Sequence, residues 1–236
     1  MSHSQTGQQL ALNVRPRLAY SSENFVVHSG VRTIIQCTLE HLGQDRGHCL
    51  FVYGEERSGK THLALRLAEE VARCGSFPRL FEPDEFVTAL ESLSVTAVHS
   101  DDVFIVDDAH VYLQQIQPGD SGPFVRFIEA LRAQHASVVL CSAKQIEDIP
   151  CDDHVKSRLR SGTGLAIGSP LPEEMAALLK GLARQRGIAL RKQHIDYLEK
   201  RVQRSLPWLV DYFERLAHLS HSLAKGLSAQ DLQSIL

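Results

Sequence analysis

The residues Gly54-Glu55-Glu56-Arg57-Ser58-Gly59-Lys60-Thr61 fit the spacing G-x-x-x-x-G-K-[ST], and His62 follows directly. In a chain of this size, chance produces that pattern on the order of once in a hundred. Each residue type has a physical task. Glycines let the backbone turn until successive N–H groups face inward as an anion nest. A helix opening near Gly59 adds its positive end. Lys60 reaches the terminal phosphates of a nucleotide, and the Thr61 hydroxyl can ligate Mg²⁺. The expected binding segment is therefore the whole loop, from Gly54 to His62.

A second group of residues points to the same chemistry. Asp107 and Asp108 close the apolar run "VFIV". A carboxylate at the C-terminal end of a parallel strand lies at the sheet edge that carries the phosphate loop. Asp107 is expected to hold Mg²⁺ through water. Asp108 is placed to orient or deprotonate an attacking water. Other candidates read more plainly. His218 and His221 are a surface pair, since no acidic or thiol partner accompanies them. The five cysteines, Cys37, Cys49, Cys74, Cys141 and Cys151, include no Cys-x-x-Cys pair and read as reduced thiols.

These residues need a scaffold, and the sequence supplies one. "CLFVY" is a strand-like run entering the loop, and "THLALRLAEEVARC" repeats leucines at helical spacing behind it. "PRLFEP", "DVFIVDD", "ASVVLCSA" and "TGLAIGSP" read as further strands, with "PDEFVTALESL" and "GPFVRFIEALRAQ" as helices between them. The alternation predicts a parallel five-stranded α/β sheet covered on both faces. It extends from residue 21 to 168. From 169 to 236 the pattern becomes helical, beginning with "PEEMAALLKGLARQRG" and ending with "SAQDLQSIL". Residues 1–20 are polar, without a helical period, and read as a flexible tail. The net charge of −3 gives no global basic signature of a nucleic-acid binder. No apolar run approaches the ~20 residues of a membrane span. "MSHSQTGQQL" lacks a signal-peptide core, so the cytoplasm is the expected compartment.

In order and spacing, "YSSENFVVHSGV", the phosphate loop, "VFIVDDAH", "VVLCSAK" and "DDHVKSRL" resemble the AAA+ domain of the bacterial initiator DnaA. The resemblance covers nearly all of the chain from about Tyr20. It implies an AAA+ fold with a small helical lid, an ADP or ATP ligand with Mg²⁺, and membership of the Hda-like inactivators of DnaA, which lack the initiator's DNA-binding domain. Such proteins carry a sliding-clamp-binding peptide of the form Gln-Leu-x-Leu near the N-terminus. Gln9, Leu10 and Leu12 stand in that place. Arg158 matches a basic position of the initiator's Lys/Arg-Ser-Arg-Phe box, and the resemblance assigns it as an arginine finger acting in trans, with Arg160 as the alternative. The implied partners are DnaA and the sliding clamp, without sequence-specific DNA binding or membrane, and with a homodimer left open.

Departures from the pattern shape the expectation. The sensor 1 aspartate of the initiator is replaced by Ala143, with Ser142 as the nearest polar residue in sequence. At the sensor 2 arginine stands Pro207, with Arg204 one turn earlier. Losing two contacts to the terminal phosphate harms transition-state stabilisation more than ground-state binding. The expected protein holds nucleotide, hydrolyses it poorly, and with the clamp stimulates hydrolysis of ATP bound to DnaA. The alternatives are a helicase-loader or transposition ATPase of the DnaC/IstB kind, and a degenerate AAA+ interaction module.

Overall fold

A computed structural model describes residues 25–44, 47–92, 98–117, 119–222 and 227–236. The proposed clamp-binding residues Gln9, Leu10 and Leu12 lie outside the described residues, as does the side chain of His221. Strands β1 (Cys49–Tyr53), β2 (Phe77–Phe81), β3 (Asp102–Val106), β4 (Ser137–Ser142) and β5 (Thr163–Ala166) form a sheet of order β2-β3-β4-β1-β5. Every pairing in it is parallel. Strand side chains alternate between faces, and both faces here are covered. Phe51, Phe104, Val106, Val138 and Leu140 pack under helices α3 (Pro83–Ser92), α4 (Ala109–Leu113), α5 (Gly122–Ala133) and α6 (Asp153–Arg160). Leu50, Val52, Val103, Ile105, Val139 and Cys141 pack against α1 (Ser29–Gln44) and α2 (Lys60–Arg73). This doubly covered parallel sheet is the architecture that the alternating runs predict.

Helices α7 (Met175–Gln185), α8 (Lys192–Glu199), α9 (Leu206–Ser222) and α10 (Ala229–Ile235) surround a core of their own, centred on Leu179, Leu198, Tyr212, Phe213 and Leu216. The buried Tyr212 hydroxyl donates to the Leu232 carbonyl at 3.1 Å, so burying the ring leaves no unpaired oxygen. Ser228 and Asp231 cap α10 reciprocally, with the Asp231 N–H donating to Ser228 Oγ at 3.2 Å and the Ser228 N–H donating to Asp231 Oδ2 at 2.7 Å.

The helical layer is joined to the sheet where the chain leaves β5. The Ser29 N–H donates to both oxygens of Glu174, at 2.8 and 2.9 Å, and Ser29 Oγ donates at 2.8 Å. Glu174 thus caps α1 from the first turn of the helical layer, and these donors hold its carboxyl down at about 2. Beside it, the Gly168 N–H donates to the Gly30 carbonyl at 3.0 Å. The two backbones meet so closely that a Cβ on Gly30 would lie 2.0 Å from the Gly168 oxygen. All five cysteines are free thiols: Cys49 and Cys141 are buried, Cys37 and Cys151 are partly covered, and Cys74, at the C-terminal end of α2, is exposed. Burial pushes the Cys49 thiol up to about 12 and Cys141 higher still. Among the described residues, no helix is long and apolar enough to cross a membrane.

Candidate nucleotide site

Strand β1 ends at Tyr53, and the chain turns through the phosphate loop into α2. Gly59 takes φ 90°, a left-handed conformation that favours glycine, and Arg57 takes φ 63°. A Cβ on Gly54 would lie 2.8 Å from Ser58 Oγ, so the loop closes tightly on itself. The Lys60 ammonium is buried and donates to the carbonyls of Gly54 (3.3 Å) and Glu55 (3.0 Å), which aims it across the loop. Ser58 Oγ is buried and has no partner among the described residues. A buried cation, an orphaned hydroxyl and a glycine cradle are the donor set a phosphate group satisfies.

Strand β3 brings the acids to the same edge. The Thr61 hydroxyl hydrogen-bonds the Asp107 carboxylate, so the two expected Mg²⁺ ligands are already adjacent. Burial pushes the Asp107 carboxyl up, and the Thr61 bond opposes this. The Asp108 N–H donates to Asp107 Oδ1 at 3.1 Å. Asp108 sits at φ 43°, an uncommon conformation for a residue with a side chain, and from there the chain enters α4 at once.

These elements open onto a cleft of about 460 Å³. Glu56, Arg57, Gly59, Lys60, Thr61, His62 and Asp108 line its sheet side, together with His110, Val111 and Ala143. The segment before α1 contributes Phe25, Val26 and His28. The Phe25 ring lies nearly parallel to His62, with centroids 6.4 Å apart. Leu178, Leu182 and Arg186 face in from α7 and its end, and Leu206, Val210 and Glu214 from α9. Their spacing of four residues puts the last three on one helix stripe. Arg57 reaches over to this stripe, with Nη1 3.1 Å from Glu214 and 3.6 Å from Asp211.

The structure brings together most of the expected site and leaves some of it apart. Ala143 lines the cleft. Ser142 does not act as its polar substitute: its hydroxyl is buried, donates to the Lys144 carbonyl at 2.6 Å and accepts from the Lys144 N–H at 3.0 Å. The polar group at Ala143 is His110, whose Nδ1 accepts the Ala143 N–H at 3.3 Å. His110 was not legible as a site residue, because it is one histidine on a five-residue helix too short to show a period. Neither Pro207 nor Arg204 lines the cleft. The cation on the lid side is Arg186, whose Nη1 donates to the Leu182 carbonyl at 3.3 Å.

Arg158 lies apart from the cleft, on α6, where Nη2 donates to Glu129 Oε1 at 2.7 Å. Arg160 pairs with Glu147, its Nε 3.0 Å from Oε1. Asp152 caps this helix by accepting the Val155 N–H at 3.0 Å.

A parallel five-stranded sheet with a phosphate loop after β1, acids after β3 and a helical layer over the cleft defines the P-loop AAA+ fold. Solved structures bear this out. Domain III of the Thermotoga maritima replication initiation protein DnaA superposes with a TM-score of 0.71 at 18% identity, covering 92% of this chain and 95% of that one. The structure of a Thermotoga maritima RuvB variant gives 0.62 at 15% identity, over 92% of this chain and 70% of that one. In sequence the chain is DnaA-like: it is 27% identical over 206 residues to a chromosomal replication initiator protein DnaA of Thermus thermophilus. A DnaA of Symbiobacterium thermophilum matches at 24% over 202 residues. These alignments take in 80% and 79% of this chain but 46% and 44% of the two relatives, so the chain spans under half the length of either. No family model matches the chain.

Proposed function

We propose that this chain is a nucleotide-binding regulator of replication initiation that, together with the sliding clamp, stimulates hydrolysis of ATP held by DnaA. The observation that carries this reading is the imbalance of the cleft. The loop, Lys60, Thr61 and the acids after β3 suit phosphate binding, while Ala143 and the α9 stripe of Leu206, Val210 and Glu214 supply no hydrogen-bond donor for the terminal phosphate. A site of that kind favours binding over turnover. A DnaA structure that is 21% identical to this chain is described as bound to AMPPCP and single-stranded DNA, which supports an adenine nucleotide as the ligand here. Thr61 and Asp107 would hold Mg²⁺, whose charge offsets that of the phosphates. Phe25, His62 and the leucines of α7 form the apolar end suited to a base.

Acting on a neighbour requires a group outside this cleft. Arg158 is that group in our reading: its guanidinium leaves Glu129 and enters the initiator's site, where a planar cation stabilises charge on a transferring phosphoryl group. An arginine paired with a half-exposed carboxylate is released at small cost. The test is the rate of ATP hydrolysis by DnaA with DNA-loaded clamp and this protein. Wild type accelerates it; Arg158→Ala and Arg158→Lys still bind nucleotide yet lose the acceleration, an effect of up to ~10³–10⁵ for an arginine finger. If neither Arg158→Ala nor Arg160→Ala changes the rate, this chain is not a trans-acting inactivator of that kind. The Gln9, Leu10 and Leu12 tail is the proposed clamp contact. Equal clamp capture by a Leu10→Ala, Leu12→Ala double variant overturns that part.

A further inference from the structure

The terminal phosphate of a nucleotide seated on the loop would point toward the ends of β3 and β4, which are neighbours in the sheet. At β4 the side chain is Ala143, and the Ser142 hydroxyl is taken up by Lys144. Arg57 of the loop pairs with Glu214 and Asp211 of α9, and on the lid side Arg186 is turned to the Leu182 carbonyl. His110 fills the gap between the two strand ends. It lines the cleft beside Lys60, Asp108 and Ala143.

Its proton is placed by its neighbour. The Ala143 N–H donates to Nδ1, so in the neutral ring Nε2 carries the hydrogen and is the donor. Burial favours that neutral form, and Lys60 and Lys144 add to it, against the opposing charges of Asp108 and Glu56. The left-handed Asp108 sets the direction in which α4 starts, and so the position of the ring over the cleft.

We infer that His110 reads the terminal phosphate, donating Nε2–H to a γ-phosphate oxygen in place of a polar side chain on β4. The inference rests on the nucleotide-binding reading above. It makes His110 a specificity-determining residue: an interaction available to a triphosphate and not to a diphosphate. It also links the two strand ends, since the same ring holds the backbone of Ala143.

The test is calorimetric titration of wild type, His110→Phe and His110→Gln with Mg²⁺-AMPPNP and with Mg²⁺-ADP. Phenylalanine keeps the ring volume and removes both polar contacts. Glutamine keeps an acceptor for Ala143 and a donor for the phosphate. The ratio of AMPPNP to ADP affinity should fall about ten- to a hundredfold in His110→Phe, the range for losing a hydrogen bond to a charged group, and return in His110→Gln. Should His110→Phe fail to fold, His110→Ala carries the same expectation. An unchanged ratio in a folded variant that binds both nucleotides overturns this inference alone. A wild type that binds neither nucleotide overturns the binding reading, and this inference with it.

Discussion

On its sheet side the cleft presents Lys60, Thr61, Asp108 and His110; on its lid side it presents Leu178, Leu182, Leu206 and Val210, with Glu214 tied to Arg57 and Arg186 bonded to a carbonyl. The sheet wall is built from strand ends, where backbone geometry is fixed by the ladder and a side chain can be aimed. The lid wall is built from helix faces whose residues also belong to a separate core. Most of the charge in the cleft therefore sits on the loop and the strand ends, and the helical wall contributes mainly shape. The polar wall decides which group is held, and the apolar wall decides how well it is covered.

Removing the cation of the sheet wall should have the largest effect. Lys60→Ala takes away a buried ammonium, and calorimetry with ADP should show a loss of roughly 3 kcal/mol, about a hundredfold or more in Kd. A change of similar size from Leu206→Ala would erase the contrast between the walls.

The junction between the two regions comes next. In most helices Gly→Ala is favourable by ~1 kcal/mol. At Gly30 the added methyl would meet a backbone oxygen 2.0 Å away, and a backbone atom cannot swing aside. Gly30→Ala should therefore destabilise the protein by about 1–3 kcal/mol, read from urea unfolding. A stabilised variant would show that this backbone contact is loose.

Glu174 tests the same junction through pH. Its carboxyl is held at about 2 by the N–H groups of Ser29 and Leu171, below its ordinary value of 4.5. The folded value is depressed, so the stabilisation is complete above the unfolded value and is lost as pH falls from about 4.5 toward about 2. Glu174→Gln keeps the acceptor without the charge. Its stability should follow a flatter course than wild type across that window in acid titrations monitored by circular dichroism. Curves that stay parallel would remove Glu174 as the cause.

The smallest effect is expected at the clasp from loop to lid. Arg57 and Glu214 are 47% and 42% exposed, so Arg57→Ala should cost at most ~1 kcal/mol and less at high salt. A melting temperature that drops by many degrees would mean that the clasp, rather than the apolar stripe, holds the lid.

How far the sequence foretold this layout depends on whether the causes are local. The loop, β1, β3, β4 and α5 were readable because an apolar run or a helical stripe lies next to its own punctuation. β2 was placed late, as "PRLFEP". It spans Phe77–Phe81 and contains Pro78, tolerated because β2 is an edge strand. The start of α1 is capped by Glu174, 145 residues away, and by the adjacent His28, whose Nδ1 accepts the Gly30 N–H at 3.2 Å; histidine is not among the residue types that announce a helix start. In α6 the buried apolar side chains are Val155 and Leu159, too few to stand out in a charged segment. His110 and the lid-side Arg186 became visible only when strands and helices distant in sequence were brought together.

The exposure of the cysteines has a practical consequence. Burial keeps Cys49 and Cys141 away from solvent and holds both thiols protonated at neutral pH, so they are poor targets for maleimides in the folded protein. Cys74 is the exposed thiol, and it sits at the far end of the helix that begins at Lys60. A 14-residue helix is about 21 Å long, so a dye there stands clear of the phosphate loop. Cys74 is thus a native position for a fluorophore that reports on partner docking, once the partly covered Cys37 and Cys151 are replaced by serine.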